Sequence, residues 1–74
     1  MMASGSRAVR INLPSPMPAD IKAIRVAAGL SQSEAAFKVY RTVRNWQQWE
    51  AGDRRMDPAL WELFKLKIAM HNVR

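Results

Sequence analysis

Four side chains in residues 43–51, VRNWQQWEA, stand out by type and spacing: Val43, Arg44, Gln47 and Gln48. Arg can donate two parallel hydrogen bonds to guanine O6 and N7. Gln pairs in the same forked way with adenine N6 and N7, and a valine methyl can meet the thymine methyl. With Trp46 at the zero of a helical wheel, Trp49, Glu50 and Thr42 fall within about 60° of it, whereas Arg44, Gln47, Gln48 and Ala51 lie on the opposite half. Val43 sits at the edge, in the first turn. An apolar back for rigid placement and a donor-rich front is what a helix needs to read base edges in the major groove. A merely solvated polar face has the same pattern, so the surrounding elements decide.

Catalysis and metal binding find no comparable support. His71 stands alone, and Asp20, Asp53 and Asp57 suit helix ends and loops. No carboxylate pair, nucleophile–base pair or glycine-rich phosphate loop occurs, so we expect no enzyme, metal, cofactor or small-molecule ligand. The absence of cysteine excludes disulfide scaffolds, cysteine zinc sites and thiol chemistry, and suits a reducing compartment.

The elements that must position the four side chains follow from sequence punctuation. Residues 8–13, AVRINL, alternate apolar and polar with Val9, Ile11 and Leu13 on one side, which suggests a short strand or an extended arm. Pro14, Pro16 and Pro18 then bar regular structure until a helix can start, with Pro18 in its first turn. We expect an N-terminal arm over residues 1–17 and one domain over residues 18–74. A first helix is predicted over residues 18–28, with Asp20 complementing its dipole and Gly29 capping it. Ile21, Ile24, Arg25 and Ala28 share its inner face, and an arginine there requires a partner. Ser31 and Glu34 form a capping box that opens the second helix at Gln32, with Ala35, Ala36 and Val39 directed inward. Thr42 caps the third helix, over residues 43–51, and Gly52 stops it. Asp57 and Pro58 start a fourth helix that runs to about Met70.

In the fourth helix the apolar pattern is wider than one buried stripe. Leu60, Trp61, Phe64 and Ile68 cover one arc, while Leu63, Leu66 and Met70 cover its neighbour. The second arc, with Trp61, is expected to be a dimer surface, the alternative being core. The arm pairs across that dimer as a strand or covers apolar surface in its own monomer. The fold class is therefore all-α, a small bundle of four to five helices that contains a helix-turn-helix.

The chain of 74 residues carries 12 Lys and Arg against 6 Asp and Glu, a net charge of +6. On so small a body this creates a positive field that attracts polyanions. Eight of the basic residues are Arg, the better phosphate and guanine ligand. Arg41, Arg54 and Arg55 flank the third helix and, with Thr42, are expected to hold phosphates on either side of the groove. Lys22 and Lys38 read as plain surface, and Lys65 and Lys67 as too distant from DNA. No apolar run approaches the roughly 18 residues of a membrane span, and no signal peptide is visible, so a cytoplasmic, nucleoid-associated protein is expected.

Residues 30–52, LSQSEAAFKVYRTVRNWQQWEAG, resemble the Cro/CI-type (XRE) helix-turn-helix family. Gly29-Leu30-Ser31-Gln32 opens the second helix and Trp49-Glu50-Ala51-Gly52 closes the third. The likeness extends back to Ile21 and covers about half the chain. It implies an ion pair between Arg25 and Glu50 that ties the third helix to the first, and a contact from Gln32 to a DNA phosphate. The run from Trp46 to Met56 is similar to short plasmid- and phage-borne repressors of the KorC-like or anti-CRISPR-associated type. That family has glycine in the turn where this chain has Tyr40. A bulky residue is uncommon at positive φ, so either the turn is reshaped or the second helix runs a residue longer.

Together these features lead us to expect a repressor that binds an inverted-repeat operator in double-stranded DNA as a homodimer, blocks polymerase by occupancy and regulates its own small operon. The competing expectation is an antitoxin or other interaction module, which would grip a protein partner through its first 17 residues or its fourth helix while also binding DNA.

Overall fold

The structure, a computed structural model, describes residues 14–71, so the arm expected at residues 8–13 lies outside the described residues. Four helices follow in order: α1 (Pro18–Ala27), α2 (Gln32–Lys38), α3 (Val43–Ala51) and α4 (Pro58–His71). No strand occurs among the described residues, and no helix among them is long and apolar enough to cross a membrane.

Each helix starts where its capping chemistry predicts. In α1, Pro18 occupies the first turn, where its missing N–H costs no hydrogen bond, and Asp20 follows it. For α2, the Ser31 hydroxyl accepts from Glu34 N (3.1 Å) while Ser31 N donates to Glu34 Oε1 (2.8 Å), the complete capping box. The Glu34 carboxyl is held below its ordinary value by hydrogen bonding from the Ser31 backbone N–H first and the Ser31 side chain second. Thr42 Oγ1 accepts from Asn45 N (3.1 Å) ahead of α3, and Asp57 Oδ1 accepts from Ala59 N (2.8 Å) ahead of α4.

The ends of α1, α2 and α3 share one device. After α1, Gly29 takes φ 74° while Gly29 N donates to Val26 O and Leu30 N to Arg25 O. Past α3, Gly52 takes φ 84° while Gly52 N donates to Trp49 O and Asp53 N to Gln48 O. This paired closure around a left-handed residue satisfies carbonyls that the helix leaves open. The end of α2 repeats it with no glycine. Tyr40 N donates to Phe37 O (3.1 Å), Arg41 N donates to Ala36 O (2.9 Å), and Tyr40 itself adopts φ 62°. Neither expected alternative holds: the helix ends at Lys38 and the turn keeps the left-handed geometry. The closing bonds outweigh a penalty of about 1–2 kcal/mol for placing a side chain there.

The core is built around Trp46. Its ring meets Trp49 edge-on (5.4 Å, 65°) and Phe64 at a tilt (4.9 Å, 59°), with Ile21, Ala35, Ala36, Val39 and Met56 buried around them. Ala35 and Ala36 let the backbones of α2 and α3 approach closely, and α3 also packs on α1. Met56, fully buried in the α3–α4 connection, was not among the expected core residues.

Candidate nucleic-acid interface

The back of α3 is fastened by a single carboxylate. Glu50 Oε2 accepts from Arg25 Nε (2.6 Å) and Trp46 Nε1 (2.6 Å). Its Oε1 accepts from Arg25 Nη2 (3.1 Å) and Gln32 Nε2 (3.0 Å). Arg25 Nη1 also donates to Leu30 O (2.9 Å), so one guanidinium ties α1, the α1–α2 turn and α3 together. The ion pair is nearly dry, its side chains 13% and 7% exposed for Arg25 and Glu50. Burial pushes the Glu50 carboxyl up. The hydrogen bonds from Arg25, Trp46 and Gln32, with the charge of Arg25, outweigh burial and hold it below its ordinary value. Hydrogen bonding to Glu50 raises Arg25 in turn. Arg25 thus has the partner that its place on an apolar face demanded.

The four base-reading candidates sit on the other side of α3. Arg44 and Gln47 are exposed, Val43 is 39% exposed and Gln48 is half-buried. Arg44, Gln47 and Gln48 line one shallow depression with Ala51 and Asp53. Val43 lies outside it, toward the start of the helix. The face is also braced. Glu50 can only accept, so it turns the Gln32 amide N–H₂ inward and leaves Gln32 Oε1 to accept a long bond from Gln47 Nε2 (3.4 Å). The expected phosphate ligand Gln32 therefore also links the ion pair to the outer face.

Arg41, Arg54 and Arg55 are all exposed. All three line one depression with Asn45, Trp49, Asp57 and Leu60, and Arg54 and Arg55 also line a second one with Pro18, Trp49 and Gly52. The loop after Gly52 folds back toward the start of α3, where Arg41 enters, and the wheel of α3 alone gives no sign of that path. Asn45, half-buried beside the arginines, is a polar neighbour that the helical pattern did not single out. Thr42 is exposed, and its hydroxyl, which accepts from Asn45 N, keeps its own O–H to donate.

The expected dimer residues divide. Trp61 stacks on Phe64 (6.2 Å, 21°), and both Trp61 and Leu63 pack against the core, whereas Leu66 and Met70 are 57% and 70% exposed. Phe37 on α2, unanticipated, is also exposed, at 80%. Among the described residues no group of His, Cys, Asp and Glu is placed to hold a metal ion. No protein-family model matches this chain, and no curated protein matches it significantly.

Proposed function

We propose that this chain is a sequence-specific DNA-binding repressor of the Cro/CI-type (XRE) kind, with α2 and α3 as its helix-turn-helix and α3 as the helix that enters the major groove. The observation that carries this reading is the two-sided build of α3. Trp46, Trp49 and Glu50 anchor it from behind, while Arg44, Gln47 and Gln48 gather around one outward depression. Rigid placement matters because bidentate base contacts tolerate little displacement. Arg44 pairs with guanine, Gln47 and Gln48 with adenine, and Val43 touches a thymine methyl. Arg41, Arg54 and Arg55 hold phosphates, with Thr42 and Gln32 completing the backbone contacts.

One such helix covers only a few base pairs. Two copies related by a two-fold axis read an inverted repeat with half-sites about one helical turn, ~34 Å, apart. Leu66 and Met70 on α4 supply the exposed apolar surface for that pairing. The protein acts by occupancy on the nucleoid in the cytoplasm and controls a small operon that includes its own gene.

Selection of duplexes from a random DNA pool, followed by gel shifts on the enriched sequence, tests the reading. Arg44→Ala is expected to cost about 1–3 kcal/mol and to relax preference at one position. Arg54→Ala should weaken all sequences alike and reduce the salt slope by about one. Enrichment of no sequence, or unchanged binding by both variants, overturns the proposal.

A further inference from the structure

Lys67 reaches from the middle of α4 across to the end of α2 and makes three contacts there. Its ammonium donates to Lys38 O (2.8 Å) and to Tyr40 Oη (2.7 Å), and it stands 4.1 Å from the centroid of the Tyr40 ring. Lys38 O belongs to the last turn of α2, where carbonyls lack a partner within the helix and the dipole favours a cation. The ring below adds the attraction of its π face. Glycine at position 40 would take the same left-handed turn without strain, yet would offer Lys67 neither ring nor hydroxyl. The bulky residue in the turn and the lysine on α4 are thus two halves of one device.

Position matters as much as strength. Phe64 seats α4 in the core against Trp46, with Leu60, Trp61, Leu63 and Ile68 of the same helix packed beside it, so the hold on α4 within the core is entirely apolar. Lys67 lies almost one turn beyond Phe64 and adds a directional, polar attachment to that apolar seat. The polar attachment is made to the turn that launches α3.

We propose that Lys67 and Tyr40 form a latch that sets the angle between α4 and the α2–α3 unit, making Lys67 a positioning residue for DNA reading. This rests on the proposed repressor function, in which α4 carries the dimer contact and α3 the bases. The latch then determines how far apart, and at what rotation, the two α3 helices of a dimer lie. It sets the half-site spacing that the protein accepts, while the base preference within each half-site stays with Arg44, Gln47 and Gln48.

The experiment uses the full chain and the duplex enriched by the wild type, remade with its half-sites moved apart or together by about 2 bp, a rotation of about 70°. Wild type should lose roughly tenfold or more in affinity on either altered spacing. Lys67→Met keeps the methylene stem without the charge, and Tyr40→Gly keeps the turn without the ring. Both should narrow that difference to about threefold or less while retaining the sequence preference of a single half-site. Lys67→Arg, which can still donate to Lys38 O and stack on the ring, should restore the wild-type preference, a rescue that loss of stability alone would not produce. In NMR spectra the Lys67 ε-protons should be shifted upfield by the ring in wild type and in Tyr40→Phe, but not in Tyr40→Gly. If Lys67→Met and Tyr40→Gly keep the full spacing preference, or the ε-protons of folded wild type resonate as in free lysine, the latch is wrong. If the wild type enriches no sequence at all, the repressor reading itself fails, and the coupling with it.

Discussion

Replacing Glu50 by glutamine is nearly isosteric and removes one charge, so it isolates what the carboxylate contributes. Glu50 accepts four hydrogen bonds, two from Arg25 and one each from Trp46 and Gln32. A glutamine keeps one acceptor oxygen and turns an N–H₂ group toward donors, so about two of these bonds are lost. It also leaves the Arg25 guanidinium, 13% exposed, without its counter-charge. Breaking such a pair from one side costs about 3–5 kcal/mol. A domain of 74 residues has roughly 4–11 kcal/mol in total at typical stability per residue, so the variant should lose a large share of it. Urea unfolding followed by tryptophan fluorescence measures this, since Trp46 and Trp49 flank the site. A cycle with Arg25→Met should show strong coupling, because once the guanidinium is gone the charge on Glu50 has lost its partner too.

The acid limb gives an independent reading of the same carboxylate. Its value in the folded state lies below that in the unfolded chain, so its contribution is complete above the unfolded glutamate value near 4.3. It is lost as pH falls through the lower folded value. Glu34 is lowered as well, so both contribute to acid loss, and the difference between wild type and Glu50→Gln isolates Glu50. A cost below about 1 kcal/mol at neutral pH, or additive single substitutions in the cycle, would refute the assignment of Glu50 as the fastening of α3.

Three further outcomes follow from the geometry. Gly29→Ala and Gly52→Ala should each cost about 1–2 kcal/mol in urea melts, because both sit at positive φ; the new methyl meets nothing at Gly29 and only ordinary contact with Pro18 at Gly52. Ser31→Ala should cost about 1 kcal/mol and return the Glu34 carboxyl toward its ordinary value, which an NMR titration would follow. Leu66→Ser with Met70→Ser should leave monomer unfolding within about 0.5 kcal/mol of wild type, since both are largely exposed, while lowering apparent mass in analytical centrifugation if α4 forms the dimer.

Helix starts were the most legible feature of this chain, because Ser31, Thr42 and Asp57 announce them through side chains that bond only neighbouring backbone. The Arg25–Glu50 pair was legible for a different reason: an arginine on an apolar face needs a counter-charge, and the family resemblance supplied one. What sequence periodicity missed are pairings made only after the chain folds. Met56 lies between helices, where no period marks it as core. Tyr40 and Lys67 are 27 residues apart and meet through the packing of α2 against α4. The gathering of Arg41, Arg54 and Arg55 around one depression depends on the path of the loop after Gly52. Leu63 shared a helical arc with Leu66 and Met70 while Trp61 lay on the neighbouring one, yet Trp61 and Leu63 both pack against the core and Leu66 and Met70 stay exposed.

The line from Arg25 through Glu50 and Gln32 to Gln47 joins the part of α3 that holds it in place to the part that would touch bases. Each link constrains the next: Arg25 demands a carboxylate, the carboxylate orients the Gln32 amide, and the remaining Gln32 oxygen restrains Gln47. If Gln47 reads adenine, Gln47→Ala removes a base contact and should cost about 1–3 kcal/mol. Gln32→Ala leaves that contact possible but frees the Gln47 side chain, which then loses about 0.5–1.5 kcal/mol on being ordered by DNA. With Gln47 already gone, that ordering cost no longer exists. Gln32→Ala should therefore cost less in the Gln47→Ala background than in wild type, by roughly the same 0.5–1.5 kcal/mol. Any direct phosphate contact from Gln32 survives in both backgrounds and is seen separately as a change of about one in salt slope. Equal costs in the two backgrounds, within about 0.5 kcal/mol, would mean that the long 3.4 Å bond does not orient Gln47 and that the outer face is set by α3 alone.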